Sequence, residues 1–99
     1  MGESVTIIAH IRARPGYEAI VEGMLKRLAE STLAEEEGCL VYNLHVSMTD
    51  PKLFVTYQIW ASEKQLEAHG GLAHTAGFSR AAPAVLDGPI GSVKYRKID

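Results

Sequence analysis

The chain has 99 residues, of which 46% are hydrophobic and 22% charged, and its net charge is −2. That is the size of one domain, residues 1–99, with no room for a second, and the composition is globular and not disordered. A basic stripe for nucleic acid is missing, and no apolar run nears the roughly 20 residues of a membrane span.

Met1 to Val5 lacks the basic and then apolar pattern of a secretory signal. Cys39 is the single cysteine, which excludes an internal disulfide and points to a reducing, cytoplasmic compartment. A domain this small buries only about 60–70% of its unfolded surface, so an oligomer interface would help it.

Val5 to Arg12, VTIIAHIR, is rich in β-branched residues and unbroken, which predicts a strand. Pro15-Gly16 turns the chain. Tyr17, Ile20, Val21, Met24, Leu25 and Leu28 recur at helical spacing and predict an amphipathic helix to about Glu36. Glu35 to Glu37 crowd its end, where the helix dipole disfavours anions, and read as a solvated terminus. Gly38 fits the position after the helix.

Cys39 to Val46 and Leu53 to Ala61 predict two strands, joined as a hairpin through Met48-Thr49-Asp50-Pro51. Ser62 begins a helix with Gln65 in capping-box spacing. Gly70-Gly71 interrupts it, and a second piece runs from about Leu72 to Ala81, ended by Pro83. Ile90 to Ile98 predicts a last strand after the Asp87-Gly88-Pro89 turn.

The order β-α-β-β-α-β is the split βαβ arrangement, an α+β ferredoxin-like fold with a four-stranded antiparallel sheet and both helices on one face. Alternation sorts the strand residues into two sets. Val5, Ile7, Ala9 and Ile11, then Leu40, Tyr42, Leu44 and Val46, then Leu53, Val55, Tyr57 and Ile59 are expected under the helices. Thr6, Ile8, His10 and Arg12, then Cys39, Val41, Asn43 and His45, then Phe54, Thr56, Gln58 and Trp60 are expected on the other face. That face carries too much apolar surface for a solvated sheet, and a second copy of the chain is the economical cover.

The segments E-G-C-L-V-Y (Glu37 to Tyr42), P-x-x-F-V-x-Y-x-x-W (Pro51 to Trp60), L-E-A-H…H…F (Leu66 to Phe78) and I-x-A-x-x-R-x-x-x-G (Ile7 to Gly16) together resemble the antibiotic biosynthesis monooxygenase family. The resemblance implies a dimeric α+β barrel and a homodimer. It also implies a small-molecule substrate, a quinol or another phenolic aromatic, oxidised without metal or flavin. Gln58 stands where the family often has Glu. Ser79 and Ala9 stand where the haem-degrading branch has a His ligand and an Asn, which argues against haem.

Cofactor-free oxygenation needs a base near neutrality and donors for an oxyanion. His74, His45 and Asn43 are the candidate catalytic residues, and Phe54, Gln58, Trp60, His69 and Phe78 the candidate substrate-binding residues. No cofactor or metal is expected: H-x-x-x-H and H-E-x-x-H spacings are lacking, and His69 and His74 lie five apart across two glycines. A non-oxygenase binding protein or isomerase on the same dimer, and a structural dimer with a filled barrel, are the competing readings.

Overall fold

The structure, a computed structural model, describes residues 3–99. The segment read for a targeting signal begins at Met1 and Gly2, outside those residues. The elements are β1 (Val5–Arg12), α1 (Glu18–Glu35), β2 (Cys39–Val46), β3 (Leu53–Trp60), α2 (Glu63–His69), α3 (Ala73–Val85) and β4 (Gly91–Tyr95). The strands form one antiparallel sheet in the order β2-β3-β1-β4. This is the α+β, ferredoxin-like arrangement expected, with the second helix divided in two.

Helix α1 docks by Val21, Leu25, Leu28 and Thr32, spaced to make one stripe down the helix. Thr32 satisfies its hydroxyl by donating to the Leu28 carbonyl at 2.7 Å. Tyr17 and Ile20, expected on that stripe, are exposed. The stripe packs with Ala9, Ile11, Phe54, Ala82, Val85 and Leu86 in the main core. Gly38 has no positive φ. A Cβ there would meet the Gln65 side chain at 2.6 Å, so the close approach of α2, and not a left-handed cap, calls for glycine. Ser62 caps α2 as expected, its hydroxyl accepting from the Gln65 backbone N–H at 3.2 Å.

Pro83 does not end α3; the helix runs on to Val85. Proline removes only one amide donor from a helix, and so near the C-terminus a single bond is lost. Arg14 donates to the Pro83 carbonyl at 2.9 Å. The last strand is shorter than expected and exposed throughout.

The largest correction concerns the two faces of β3. Ile7 pairs with Gln58, Ala9 with Thr56 and Ile11 with Phe54. Directly paired residues share a face, so Phe54, Thr56, Gln58 and Trp60 lie under the helices, all buried. Val55, Tyr57 and Ile59 lie on the open face. The polar pair tolerates burial because it is satisfied internally: Trp60 Nε1 donates to Gln58 Oε1 at 2.9 Å, and Gln58 Nε2 donates to Thr56 Oγ1 at 3.0 Å. In β2 the register slips between Cys39 and Val41. Leu40 bulges outward and Cys39 turns in beside Trp60 and Tyr42.

Candidate active site

At the Trp60 end of the sheet, the end of α1 meets the α2–α3 junction. The backbone turns extended at Glu36, φ −118° and ψ 101°, and its side chain points inward, where it is 7% exposed. Glu36 Oε2 accepts from His69 Nδ1 at 2.7 Å and from His74 Nε2 at 2.6 Å. One carboxylate oxygen thus holds two imidazole rings.

Local structure explains the convergence. In an unbroken helix, residues five apart would point about 140° away from each other. Here α2 stops at His69, and Leu72 is extended with ψ 152°, so α3 restarts in a new direction and returns His74 towards His69. The ring centroids lie 6.0 Å apart. The His69 ring also packs on the Trp60 indole, centroids 4.8 Å apart, and Thr75 Oγ1 lies 3.3 Å from His69 Nε2. Glu35 Oε2 is 3.9 Å from His74 Nδ1.

With both Glu36 contacts made by N–H donors, the lone pairs fall on His69 Nε2, within reach of the Thr75 hydroxyl, and on His74 Nδ1. A ring fixed at one nitrogen by a carboxylate and basic at the other is the arrangement of a general base. His74 lines a cleft of about 210 Å³ between α1 and α3 with Met24, Arg27, Leu28, Ser31, Gly77 and Phe78. Nearby, burial and the Glu36 carboxylate push the Cys39 thiol up to about 11, so it is a protonated packing group at neutral pH. Burial likewise pushes the Tyr42 phenol up to about 12.

The expected site residues divide into two groups. His69, His74, Trp60, Gln58 and Phe78 lie on the helix side. Asn43 pairs with Tyr57 and His45 with Val55, which puts both on the open face. Asn43 and His74 therefore do not line one cavity of the protomer. Phe54 is a main-core residue, 2% exposed. A larger open groove of about 670 Å³, lined by His10, Arg12, His45 and Phe54 among others, lies at the other end of the strands from the histidine pair. Volume alone would choose that groove, but the oriented imidazoles are at the smaller cleft.

Glu36 is the residue that sequence reasoning missed, because it sits inside an acidic run taken for a solvated helix end. The available signal was that same run, placed where the dipole opposes it, in a chain with two histidines flanking a helix break.

Comparison with known proteins bears on what the fold serves. A Pseudomonas aeruginosa protein, PA3566, is 31% identical, with TM-score 0.91 over 100% of this chain and 98% of that one. A structure described as an antibiotic biosynthesis monooxygenase is 25% identical, TM-score 0.88, over 96% and 99% of the two chains. Rv0793 of Mycobacterium tuberculosis, at 23% identity and TM-score 0.89 over 98% and 97%, shares the fold. No curated protein matches the chain significantly. The family model for antibiotic biosynthesis monooxygenase matches residues 4–81, and the chain belongs to that family.

Proposed function

We propose that the protein is a cofactor-independent monooxygenase of a small phenolic or quinol substrate, with His74 as the proton acceptor. The observation that carries this reading is the Glu36 Oε2–His74 Nε2 contact of 2.6 Å. It leaves Nδ1 as the basic nitrogen of a residue that lines a cleft. The cleft, about 210 Å³, is below the range of about 300–1,000 Å³ usual for drug-sized ligands and suits a one-ring substrate. Met24, Leu28 and Phe78 supply apolar walls, and Arg27 and Ser31 supply polar groups for an oxyanion.

Triplet oxygen reacts slowly with closed-shell molecules, so the substrate itself supplies the electrons. His74 Nδ1 takes a proton from the substrate hydroxyl, and Glu36 stabilises the imidazolium. The electron-rich anion passes one electron to O2, and the resulting radical and superoxide join through a new C–O bond. The peroxide regains the proton from His74. Loss of water from the hydroperoxide leaves a carbonyl, so one oxygen atom enters the product and the other leaves as water.

The reading includes a homodimer. The open sheet face carries Ile8, Val41, Val55, Ile59 and Val93, with Tyr57 and Tyr95, more apolar surface than a solvated antiparallel sheet presents. A second copy of the same face would cover it, together with Asn43 and His45.

Oxygen uptake against a panel of one-ring quinols and larger anthrones, with a metal chelator present, tests the reaction. One O2 consumed per substrate, lost in His74→Ala, is expected. Substrate turnover without oxygen uptake would favour the isomerase reading on the same residues. Inertness towards every ligand of the panel would overturn the proposal.

A further inference from the structure

The proton-transfer reading uses His74 and Glu36 but has no need of His69. Yet Glu36 Oε2 holds His69 Nδ1 at 2.7 Å, as closely as it holds His74. The three ligand-type atoms all lie within 4.8 Å of one another. We infer that Glu36, His69 and His74 form a binding site for one divalent transition-metal ion per chain. The inference does not rest on the reaction proposed above, which runs on the metal-free chain; an ion held by these atoms would displace the Glu36–His74 contact which that reaction uses.

The donor set decides the class of ion. Two imidazole nitrogens and one carboxylate oxygen suit zinc, iron, cobalt, nickel or copper, and offer too few oxygens for calcium or magnesium. In the present arrangement two N–H groups share Oε2. A metal takes the place of those two N–H contacts: each neutral ring carries its proton on the nitrogen facing away, and the lone pair that then faces Oε2 binds the ion, with both nitrogens and the oxygen at about 2.0–2.2 Å from it. Three protein ligands leave a fourth position open.

A second and independent observation comes from the far sides of the rings. Metal-bound histidines usually present their other nitrogen to a polar partner that fixes the tautomer. Here Thr75 Oγ1 stands beside the His69 ring, 3.2 Å from Nδ1 and 3.3 Å from Nε2, and the exposed Glu35 carboxylate stands 3.9 Å from His74 Nδ1, a longer-range ionic contact. Trp60 holds the plane of the His69 ring. The His69 imidazole is therefore held from outside the triad, by the Trp60 indole and the Thr75 hydroxyl. The ligand side chains are only 7–14% exposed, so an ion bound there is sheltered from water.

The test is a Zn2+ titration of chelator-stripped, buffer-exchanged protein against a chromophoric competitor, with no substrate present. One equivalent per chain at a Kd of about 1 µM or below is expected, with a rise in melting temperature. Co2+ should give visible absorption at the same stoichiometry. His69→Ala and Glu36→Gln should each weaken Zn2+ binding at least about 10–100-fold. His45→Ala, on the other side of the sheet, should bind like the parent. His69→Ala keeps the Glu36–His74 pair, so its melting curve without metal shows whether it folds. Affinity unchanged in folded His69→Ala, or no stoichiometric binding by the parent, overturns the inference. Because no oxygen or substrate is involved, either proposal can fail while the other stands.

Discussion

Glu36 Oε2 and His74 Nε2 lie 2.6 Å apart across 38 positions of sequence, and an ionised carboxylate there favours the tautomer with its proton on Nε2. Loss of the ring removes the base. His74→Ala should lower turnover about 10²–10⁴-fold, the usual share of a positioned acid–base group. Glu36 keeps His69, but a ring only 14% exposed is lost, so the melting temperature should fall, by less than in Glu36→Ala. A fully active His74→Ala on a confirmed substrate would return the base role to another group.

Glu36→Ala is expected to act on both activity and stability. It leaves two sheltered imidazole N–H donors without their acceptor, at about 1–3 kcal/mol for each group left unsatisfied. A fall in turnover comparable with His74→Ala, together with a lower melting temperature, is the expected result of parallel kinetic and calorimetric measurements. A variant as stable as the parent would show that the carboxylate is not the anchor of the pair.

The order of elements was legible because strand and helix periods differ and Gly and Pro punctuate them. The faces of β3 were not. Leu53, Val55, Tyr57 and Ile59 are uniformly apolar, whereas the alternate set holds Thr56 and Gln58, so alternation put the wrong set under the helices. What it could not register is that Thr56, Gln58 and Trp60 satisfy one another. The site was half legible for a related reason. His69, His74, Trp60 and Phe78 come together, but the residue joining the two histidines, Glu36, lies more than 30 positions upstream of both, in a run of glutamates of which a solvated reading fits only the neighbours. Asn43 and His45 were grouped with Trp60 through the same error of face.

The corrected faces separate folding from assembly. Phe54 is in the main core, so Phe54→Asp buries an unpaired charge and should prevent folding, at a cost of several kcal/mol on the order of that for an unsatisfied buried charge. Ile59→Asp alters the open face and should give a folded monomer. The parent should sediment as a dimer of the 10.8 kDa chain, through an interface of roughly 2,000 Å² or more. A stable parent monomer at micromolar concentration would refute the dimer, and an unfolded Ile59→Asp would refute the face assignment.

Alkaline pH should destabilise the fold. Cys39 and Tyr42 are raised from 9.0 and 10.0 to about 11 and about 12, chiefly by burial. A raised pKa means that the folded state holds its proton where the unfolded chain gives it up. The associated stability is complete below pH 9 and is lost as pH climbs through 11 and 12. Denaturant midpoints measured from pH 8 to 11 should fall, and Cys39→Ala should flatten the lower part of that decline. A flat profile would indicate that both groups reach water in the folded state.

The Trp60–Gln58–Thr56 chain of hydrogen bonds makes a sharper test of the buried face. Trp60→Phe removes the donor to Gln58 Oε1 and leaves that oxygen buried without a partner, at about 1–3 kcal/mol, and adds a cavity where the larger ring was. Gln58→Leu alone strands the indole N–H and frees the Thr56 hydroxyl of its donor. Combining Trp60→Phe with Gln58→Leu removes both partners of the bond at once, and replacing both is far less costly than orphaning one. The double variant should therefore be more stable than the sum of the two single losses, with a coupling of about 0.5–3 kcal/mol, as for residues in direct contact. Because Trp60 also packs on His69, Trp60→Phe should in addition lower turnover by loosening the histidine pair, while Gln58→Leu, which leaves the indole in place, should not. Strict additivity in chemical denaturation would mean that the two side chains do not share a hydrogen bond and would reopen the assignment of β3.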